Sequence, residues 1–137
     1  MPGVGNHEKY YDYAAYHARY DLPKLYHGQR NLWFSFDFGQ VHVTHFSSEH
    51  PYNKGSEQYA FLEQDLRLAH ENPNTKWIIL GVHRAFYCSD KCEYSEVTPL
   101  AAQLEELVHK YKVDIVQTGH LHCYERTWPT YKGKALK

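Results

Sequence analysis

Cysteine is scarce in this chain, and long apolar runs are absent. Only three of the 137 residues are cysteines, and no CxxC pair is present to indicate a zinc knuckle. Cys88 and Cys92 are close enough in sequence to form a local bridge, which the sequence leaves open, and the odd count leaves one thiol over. No segment approaches the ~20 apolar residues that a membrane-spanning helix requires, and no signal peptide is visible. The sequence therefore predicts no membrane partner.

An excess of charge of either sign is also missing. The 15 lysines and arginines almost balance the 16 aspartates and glutamates, which gives a formal net charge of −1 with neutral histidines. This balance offers no electrostatic footprint for nucleic acid, so we predict no nucleic-acid partner. Histidine, in contrast, is abundant, with 11 residues. A strong response of the net charge to pH is therefore expected between about pH 5 and 7.

The spacing of apolar residues indicates one domain of the α/β class over residues 1–137. Period-2 alternation predicts strands, recurrence at three and four residues predicts helices, and short continuous apolar runs predict buried strands. In chain order the predicted elements are a short helix near Tyr13–Tyr20, a hairpin of strands Asn31–Phe38 and Val41–Phe46, a helix from Ser56 to a stop at Asn72, a buried strand Trp77–Val82, a helix Val97–Tyr111, a buried strand Val113–Gln117 and an exposed strand Tyr124–Tyr131.

Two of the predicted strands flank a helix and therefore form a βαβ crossover. Such a crossover joins parallel strands, so Trp77–Val82 and Val113–Gln117 are expected to pair in parallel. The first strand is followed by His83 and the second, after a short turn, by His120. Because the carboxyl ends of parallel strands meet at one edge of a sheet, these two histidines are predicted to be neighbours in space.

Two further motifs supply candidate metal ligands. Gly119-His120-Leu121-His122 places two imidazoles on the loop after the second strand, and Gly5-Asn6-His7-Glu8 adds an amide and another imidazole near the start of the chain. An Asn oxygen and His nitrogens suit zinc, manganese or iron, and they indicate an open catalytic site more than a closed structural one. The predicted metal ligands are Asn6, His83, His120 and His122, with His7 beside them as a proton donor.

Each of these residues also has an ordinary interpretation. A histidine at a strand end, such as His83, is commonly a hydrogen-bonded surface residue, and Gly5-Asn6 alone indicates a turn. A shared metal site is the hypothesis that accounts for all four ligand positions together. The other histidines are interpreted as packing or surface residues without a role at the site: His17, His27, His42, His45, His50, His70 and His109.

The motifs resemble the ligand blocks of the calcineurin-like metallophosphoesterases, and more narrowly those of the purple acid phosphatases. Gly5-Asn6-His7-Glu8 matches the GNH block, and Gly119-His120-Leu121-His122 matches the GHxH block. Leu80-Gly81-Val82-His83 matches the VxxH block, with Leu in place of the first Val. Stretches between the blocks, such as Asn31–Asp37 and Cys123–Arg126, are also similar to the family.

This resemblance implies a fold, a reaction and a cofactor. The fold is a partial α/β/β/α sandwich with mixed sheets, and the reaction is hydrolysis of phosphomonoesters. The cofactor is a binuclear centre of Fe³⁺ with Zn²⁺, Mn²⁺ or Fe²⁺. By resemblance, Asn6, His83 and His120 bind the divalent ion, and His122 binds the partner ion. His7 steers the phosphate and protonates the leaving alkoxide. Secretion or a lysosomal or vacuolar location is also implied.

The chain departs from the family pattern at its start. Two family blocks that precede GNH, DxG and GDxxY, are absent, and Cys92 replaces a histidine that many members carry after VxxH. We therefore expect this chain to correspond to the C-terminal half of a catalytic domain. Its sheet is expected to have an exposed apolar flank. The expected partner of that flank is either a second copy of the chain or a missing N-terminal half. Alone, the chain is expected to hold one divalent ion or none and to be weakly active or inactive. The alternatives are a phosphodiesterase or nuclease of the same superfamily, and a non-catalytic metal-binding remnant.

Overall fold

The computed structural model describes residues 2–21, 28–29, 31–89 and 97–136 as a mixed α/β structure. The α/β class that the sequence predicts is confirmed. In chain order the elements are α1 (Ala14–Arg19), β1 (Gly28–Gln29), β2 (Trp33–Phe38), β3 (Val41–Phe46), α2 (Glu57–Glu71), β4 (Trp77–Val82), α3 (Val97–Lys110), β5 (Ile115–Thr118), β6 (Thr130–Tyr131) and β7 (Lys134–Ala135).

The main sheet has five strands in the order β1-β2-β3-β4-β5. The first three strands pair antiparallel, which confirms the predicted hairpin of β2 and β3. Strands β3, β4 and β5 pair in parallel, which confirms the predicted βαβ crossover through α3. The register sets Val82 opposite Thr118, so β4 and β5 end at the same level of the sheet. The loops that carry His83 and His120 therefore start side by side.

Helix α2 shows the local signals that predict it. Ser56 caps its start, because the Ser56 hydroxyl accepts a hydrogen bond from the backbone N–H of Tyr59 over 3.2 Å. The helix ends at Glu71, two residues before Pro73, which cannot donate the next backbone hydrogen bond. Its apolar stripe faces inward, with Leu62 and Leu66 fully buried. The predicted helix is confirmed.

Both long helices cover the same face of the sheet. Leu62 and Leu66 of α2 pack in one cluster with Leu100 and Leu104 of α3, and Leu80 of β4 lies beneath them. Burial of a leucine side chain contributes about 1.5–3 kcal/mol, so this cluster holds the two helices on the sheet. The core therefore lies between the helix layer and the sheet.

One end of the opposite face of the sheet is apolar and exposed in the described residues. Phe38, Trp77 and Ile115 lie on it with 79%, 56% and 50% of their surface exposed. The sequence predicts a buried strand at Val113–Gln117, and this prediction is wrong in two respects. Strand β5 begins at Ile115, and it is exposed, because it is an edge strand with a neighbour on one side only. The apolar flank expected from the sequence is present.

The predicted exposed strand at Tyr124–Tyr131 is also wrong. Residues 124–129 form no strand, and only Thr130–Tyr131 pairs, with Lys134–Ala135. The turn between these short strands consists of Lys132 and Gly133, whose φ angles of 50° and 71° are typical of a two-residue type I′ hairpin. The candidate Cys88–Cys92 bridge lies outside the described residues, since residue 92 is not among them.

Candidate metal centre

Three of the predicted metal ligands meet at the carboxyl edge of β4 and β5. Nε2 of His83 lies 2.7 Å from Oδ1 of Asn6 and 3.0 Å from Nδ1 of His120. Nδ1 of His120 lies 3.1 Å from Oδ1 of Asn6. We call Asn6, His83 and His120 the strand-end triangle. Side chains from three distant parts of the sequence thus bring one oxygen and two nitrogens together.

Local structure explains how each side of the triangle is held. In the GNHE loop, the backbone N–H of Gly5 donates to the Glu8 carboxylate over 2.7 Å, and the N–H of Glu8 donates to the carbonyl of Gly5 over 3.1 Å. A Cβ on Gly5 would lie 2.8 Å from the His83 ring, so this close approach requires glycine. The N–H of Gly119 donates to the carbonyl of His83 over 3.0 Å and ties the two strand-end loops together.

The backbone of His120 is strained. Its φ angle is 66°, in the left-handed region that few residues other than glycine adopt. Strain of this kind persists only where the surrounding structure fixes it, and it is concentrated at functional sites. The strained turn aims the His120 ring back at His83, with 4.8 Å between the ring centroids.

The spacing of the triangle fits a metal ion. Ligands held at about 2.1 Å from an ion in octahedral geometry lie about 3.0 Å from one another, and the three donor atoms are 2.7, 3.0 and 3.1 Å apart. Among the side chains that the structure describes, no group of three or more His, Cys, Asp or Glu has this property. The third donor is the amide of Asn6, which is a ligand type found with hard and borderline ions.

Electrostatics favour the neutral form of both imidazoles of the triangle. Burial, followed by the charge of His120, lowers the pKa of His83. Burial, followed by the charge of Arg84, lowers the pKa of His120. A neutral imidazole has a free lone pair, which is the form that binds a metal.

The other two predicted site residues, His7 and His122, are exposed side chains outside the triangle. Their charges contribute weakly to the lowered pKa of His120, after burial and Arg84, so both lie within electrostatic range of it. Their roles as proton donor and as ligand of a second ion remain predictions.

Arg84 is a neighbour of the triangle to which the sequence analysis assigns no role. Its Nη1 donates to Nε2 of His120 over 3.3 Å, and its Nε donates to Oε1 of Glu49 over 2.7 Å. Glu49 is nearly buried, with 6% of its side chain exposed, against 19% for Arg84. Burial acts to raise the pKa of Glu49, but the hydrogen bond and charge of Arg84 outweigh it and lower the pKa. The only sequence signal for Arg84 is its position directly after His83.

Comparison with known proteins agrees with this geometry. The family model described as calcineurin-like phosphoesterase matches residues 2–124. The chain belongs to this family. The resemblance found in the sequence is thereby confirmed, and the fold agrees with it.

Relatives of this phosphoesterase chain are named as acid phosphatases. It is similar to purple acid phosphatase 21 of Arabidopsis thaliana, at 36% identity over 98% of this chain and 32% of the relative. It is also similar to acid phosphatase type 7 of Mus musculus, at 37% identity over 96% of this chain and 33% of the relative. The chain thus spans about a third of the length of these curated relatives.

A solved structure shows the same fold. It is the purple acid phosphatase PPD1 from seeds of yellow lupin (Lupinus luteus), with a TM-score of 0.73 and 29% identity. The match covers 90% of this chain and 22% of that protein. The similarity therefore extends through nearly all of the α/β structure that positions the triangle.

A second histidine cluster in this phosphoesterase chain was not predicted. His42, interpreted from the sequence as a residue without a role, lies between two carboxylates: its Nδ1 is 2.7 Å from Asp37 and its Nε2 is 3.0 Å from Asp65. Ser35 and Thr44 also donate their hydroxyls to Asp65, over 2.6 and 2.5 Å. We call Asp37, His42 and Asp65 the His42 cluster. It connects the hairpin to α2 and is separate from the triangle.

Proposed function

We propose that this chain forms part of a metal-dependent phosphomonoester hydrolase of the acid phosphatase type. The observation that carries the proposal is the convergence of Asn6, His83 and His120 within 3.1 Å of one another at the carboxyl edge of the parallel strands. This edge is where open α/β sheets build their sites. Membership of the phosphoesterase family supports the reaction class.

The roles of the residues follow the resemblance. Asn6, His83 and His120 hold a divalent ion such as Zn²⁺, Mn²⁺ or Fe²⁺, and His122 binds the partner Fe³⁺ of a binuclear centre. Bound ions of this kind act as Lewis acids towards phosphoryl oxygens and lower the pKa of bound water. His7, which is exposed on the same loop as Asn6, donates a proton to the leaving alcohol.

We propose that the chain by itself holds one divalent ion and turns over little or no substrate. The triangle supplies three donors, whereas a binuclear centre needs further ligands around His122. The test measures bound Zn²⁺ or Mn²⁺ on the purified chain and hydrolysis of p-nitrophenyl phosphate at acid pH. His120→Ala is the site variant, and His70→Ala, on the exposed side of α2, is the matched control.

The outcomes separate the alternatives. Metal bound by the wild type and by His70→Ala but lost in His120→Ala supports the proposal. Rapid metal-dependent hydrolysis would show that the chain is a complete enzyme. A preference for bis-p-nitrophenyl phosphate over the monoester would favour a phosphodiesterase or nuclease. Metal binding that does not depend on His83 or His120 would contradict the proposed site.

Partners and location form the last part of the proposal. A phosphomonoester is the proposed substrate. The apolar face with Phe38, Trp77 and Ile115 supports either self-association or coverage by a further part of the domain. A monomeric mass in light scattering at high concentration would count against self-association. Secretion or a lysosomal or vacuolar location is proposed from the family resemblance alone. No helix in the part of the chain that the structure describes is long and apolar enough to cross a membrane.

A further inference from the structure

The chain after His122 returns to the loop that follows His83. We call residues 83–89 the His83 loop, and residues 123–136, which contain the β6–β7 hairpin, the C-terminal strap. The carboxylate of Glu125 in the strap accepts a hydrogen bond from the backbone N–H of Ser89, with 3.0 Å to Oε1 and 3.2 Å to Oε2. The two stretches that leave the strand-end triangle are therefore joined again beyond it.

The hydroxyl of Tyr87 makes a second connection between these stretches. It donates a hydrogen bond to Oε1 of Glu105 on α3 and accepts one from the backbone N–H of Gly133 over 3.2 Å. The Tyr87 side chain is half-buried and packs against the main core. One hydroxyl group thus joins the His83 loop, helix α3 and the tip of the hairpin.

Further contacts hold the hairpin on α3. The backbone N–H of Lys132 donates to Oε1 of Glu105 over 2.7 Å, and the Tyr131 hydroxyl donates to Oε2 of Glu106 over 2.8 Å. The Tyr131 ring stacks on the His109 ring, with 4.0 Å between the centroids. Because a two-stranded hairpin alone is at best marginally stable in water, these contacts with α3 determine where the strap lies.

The loop of the GHLH motif, between β5 and the strap, has little burial to hold it. Every residue from 117 to 129 is exposed except His120 and Leu121, which are half-buried. The left-handed backbone of His120 nevertheless needs support, because strain of this kind persists only where the surrounding structure fixes it. The His83 loop is different, because Ala85 and Phe86 anchor it in the buried interior. The anchored loop can therefore hold the exposed one.

We propose that the C-terminal strap holds the GHLH loop against the His83 loop, and that Tyr87 is a positioning residue for the metal site. Its hydroxyl fixes the far end of the strap, while the hydrogen bond from Gly119 to the His83 carbonyl fixes the start of the GHLH loop. His120 then faces His83 before an ion arrives. This inference rests on the proposed function, because it assumes that the triangle binds a metal.

Loss of this hold should weaken metal binding without changing the ligands. A site that adopts its binding arrangement for only a fraction of the time has its apparent affinity reduced by that fraction. If the GHLH loop keeps this arrangement for about a tenth of the time without the Tyr87 contact, the apparent affinity falls about tenfold. The ion, once bound, still meets Asn6, His83 and His120.

The variant Tyr87→Phe tests this in the whole chain, because it removes the hydroxyl and keeps the ring. Co²⁺ is the probe, since its visible absorption reports both affinity and ligand geometry. We expect about tenfold weaker Co²⁺ binding, with the wild-type spectrum at saturation. In the metal-free chain, amide hydrogen exchange followed by NMR should be faster at Lys132, whose acceptor Glu105 is still present, because the hairpin leaves α3 more often.

Two further variants complete the test. Tyr59→Phe is the matched control, because Tyr59 is a buried tyrosine of α2 in the same core. It should leave Co²⁺ affinity and hydrogen exchange at Lys132 unchanged. Glu125→Ala removes the other connection, to Ser89, at an exposed position, and this loss of a hydrogen bond should weaken Co²⁺ binding by about threefold to tenfold.

The proposal is wrong if Tyr87→Phe releases the hairpin, as shown by exchange at Lys132, and still binds Co²⁺ as tightly as the wild type. It is also wrong if exchange at Lys132 is unchanged in Tyr87→Phe. Should Tyr87→Phe fail to fold, as judged by circular dichroism, wild-type Co²⁺ affinity in Glu125→Ala would overturn it. If the wild type binds no Co²⁺, the proposed function fails and this inference fails with it, whereas failure of the inference alone leaves Co²⁺ binding by the wild type intact.

Discussion

The strand-end triangle and the His42 cluster differ in the charge of their partners. At His42, burial lowers the pKa, but the hydrogen bonds and charges of Asp65 and Asp37 outweigh it, so that the pKa is raised. At His83 and His120 the neighbours within hydrogen-bond distance include an amide, an imidazole and a guanidinium, and burial lowers both pKa values. The first arrangement keeps a proton on the ring and forms a cross-link. The second leaves lone pairs for a metal.

Position in the fold separates the two clusters as well. His42 lies in the middle of β3 and reaches across to Asp65 of α2, so its cluster holds the sheet to a helix. The triangle lies on loops beyond the strand ends, where its side chains are half-buried. Loss of the His42 cluster should therefore reduce mainly the stability of the fold, and loss of the strand-end triangle should reduce mainly ligand binding.

The largest effect is expected for Asp65→Ala. The Asp65 carboxylate accepts hydrogen bonds from Ser35 and Thr44 and pairs with His42, all on the buried side of the sheet. Removing it takes this acceptor from both hydroxyls and leaves His42 with Asp37 as its remaining carboxylate partner, so the free energy of unfolding should fall by about 3–5 kcal/mol. Urea denaturation measures it. Glu63→Ala, whose partner Lys110 is 3.6 Å away at the surface, is the control and should cost less than ~0.5 kcal/mol.

Equal stability of Asp65→Ala and Glu63→Ala would show that the His42 cluster does not hold the fold together.

The next largest effect concerns metal binding by the triangle. His83→Ala removes the ring that contacts both Asn6 and His120, so Zn²⁺ affinity should fall by at least ~100-fold. The free energy of unfolding should change much less than in Asp65→Ala, because His83 is half-buried. Calorimetric titration with Zn²⁺ checks the first point. His70→Ala, an exposed histidine of α2, should bind Zn²⁺ as the wild type does.

The sequence predicts a contact correctly where a single pattern specifies both a strand and the strand that pairs with it. The crossover from β4 to β5 predicts that His83 and His120 meet, because parallel strands end at one edge. The strand predicted at Tyr124–Tyr131 is wrong, because only Thr130–Tyr131 pairs with another strand. Pairing depends on tertiary neighbours, which local propensity does not specify.

The clusters that the sequence did not predict share one property. Asp65 meets His42, and Glu49 meets Arg84, across elements whose relative placement no short motif encodes. Each pair consists of residue types that are common on protein surfaces, so composition alone gives no reason to join them. Only the packing of α2 and the β3–α2 connection onto the sheet brings these partners together.

A smaller effect tests how tightly the triangle is built. Gly5→Ala places a Cβ 2.8 Å from the His83 ring, so the ring must shift away from Asn6, and Zn²⁺ affinity should fall by about tenfold, as for loss of an outer-shell contact. Gly119→Ala is the control, because a Cβ there meets His83 only at 3.7 Å or more, which is ordinary contact. Similar Zn²⁺ affinities for the two variants would show that the contact at Gly5 does not position His83.

The smallest expected effect is a pH dependence of the His42 cluster. Because the pKa of His42 is raised in the folded state, its contribution to stability is fully present below the unfolded value of about 6.5. The contribution is lost as pH rises through the higher folded pKa. The difference in free energy of unfolding between wild type and His42→Gln should therefore shrink from pH 6 to pH 9. Asp37→Asn weakens one of the two carboxylate partners, so the pKa of His42 should be raised less and this loss should be complete at a lower pH in that background. A difference that stays constant with pH would show that the His42 cluster is not held by charge.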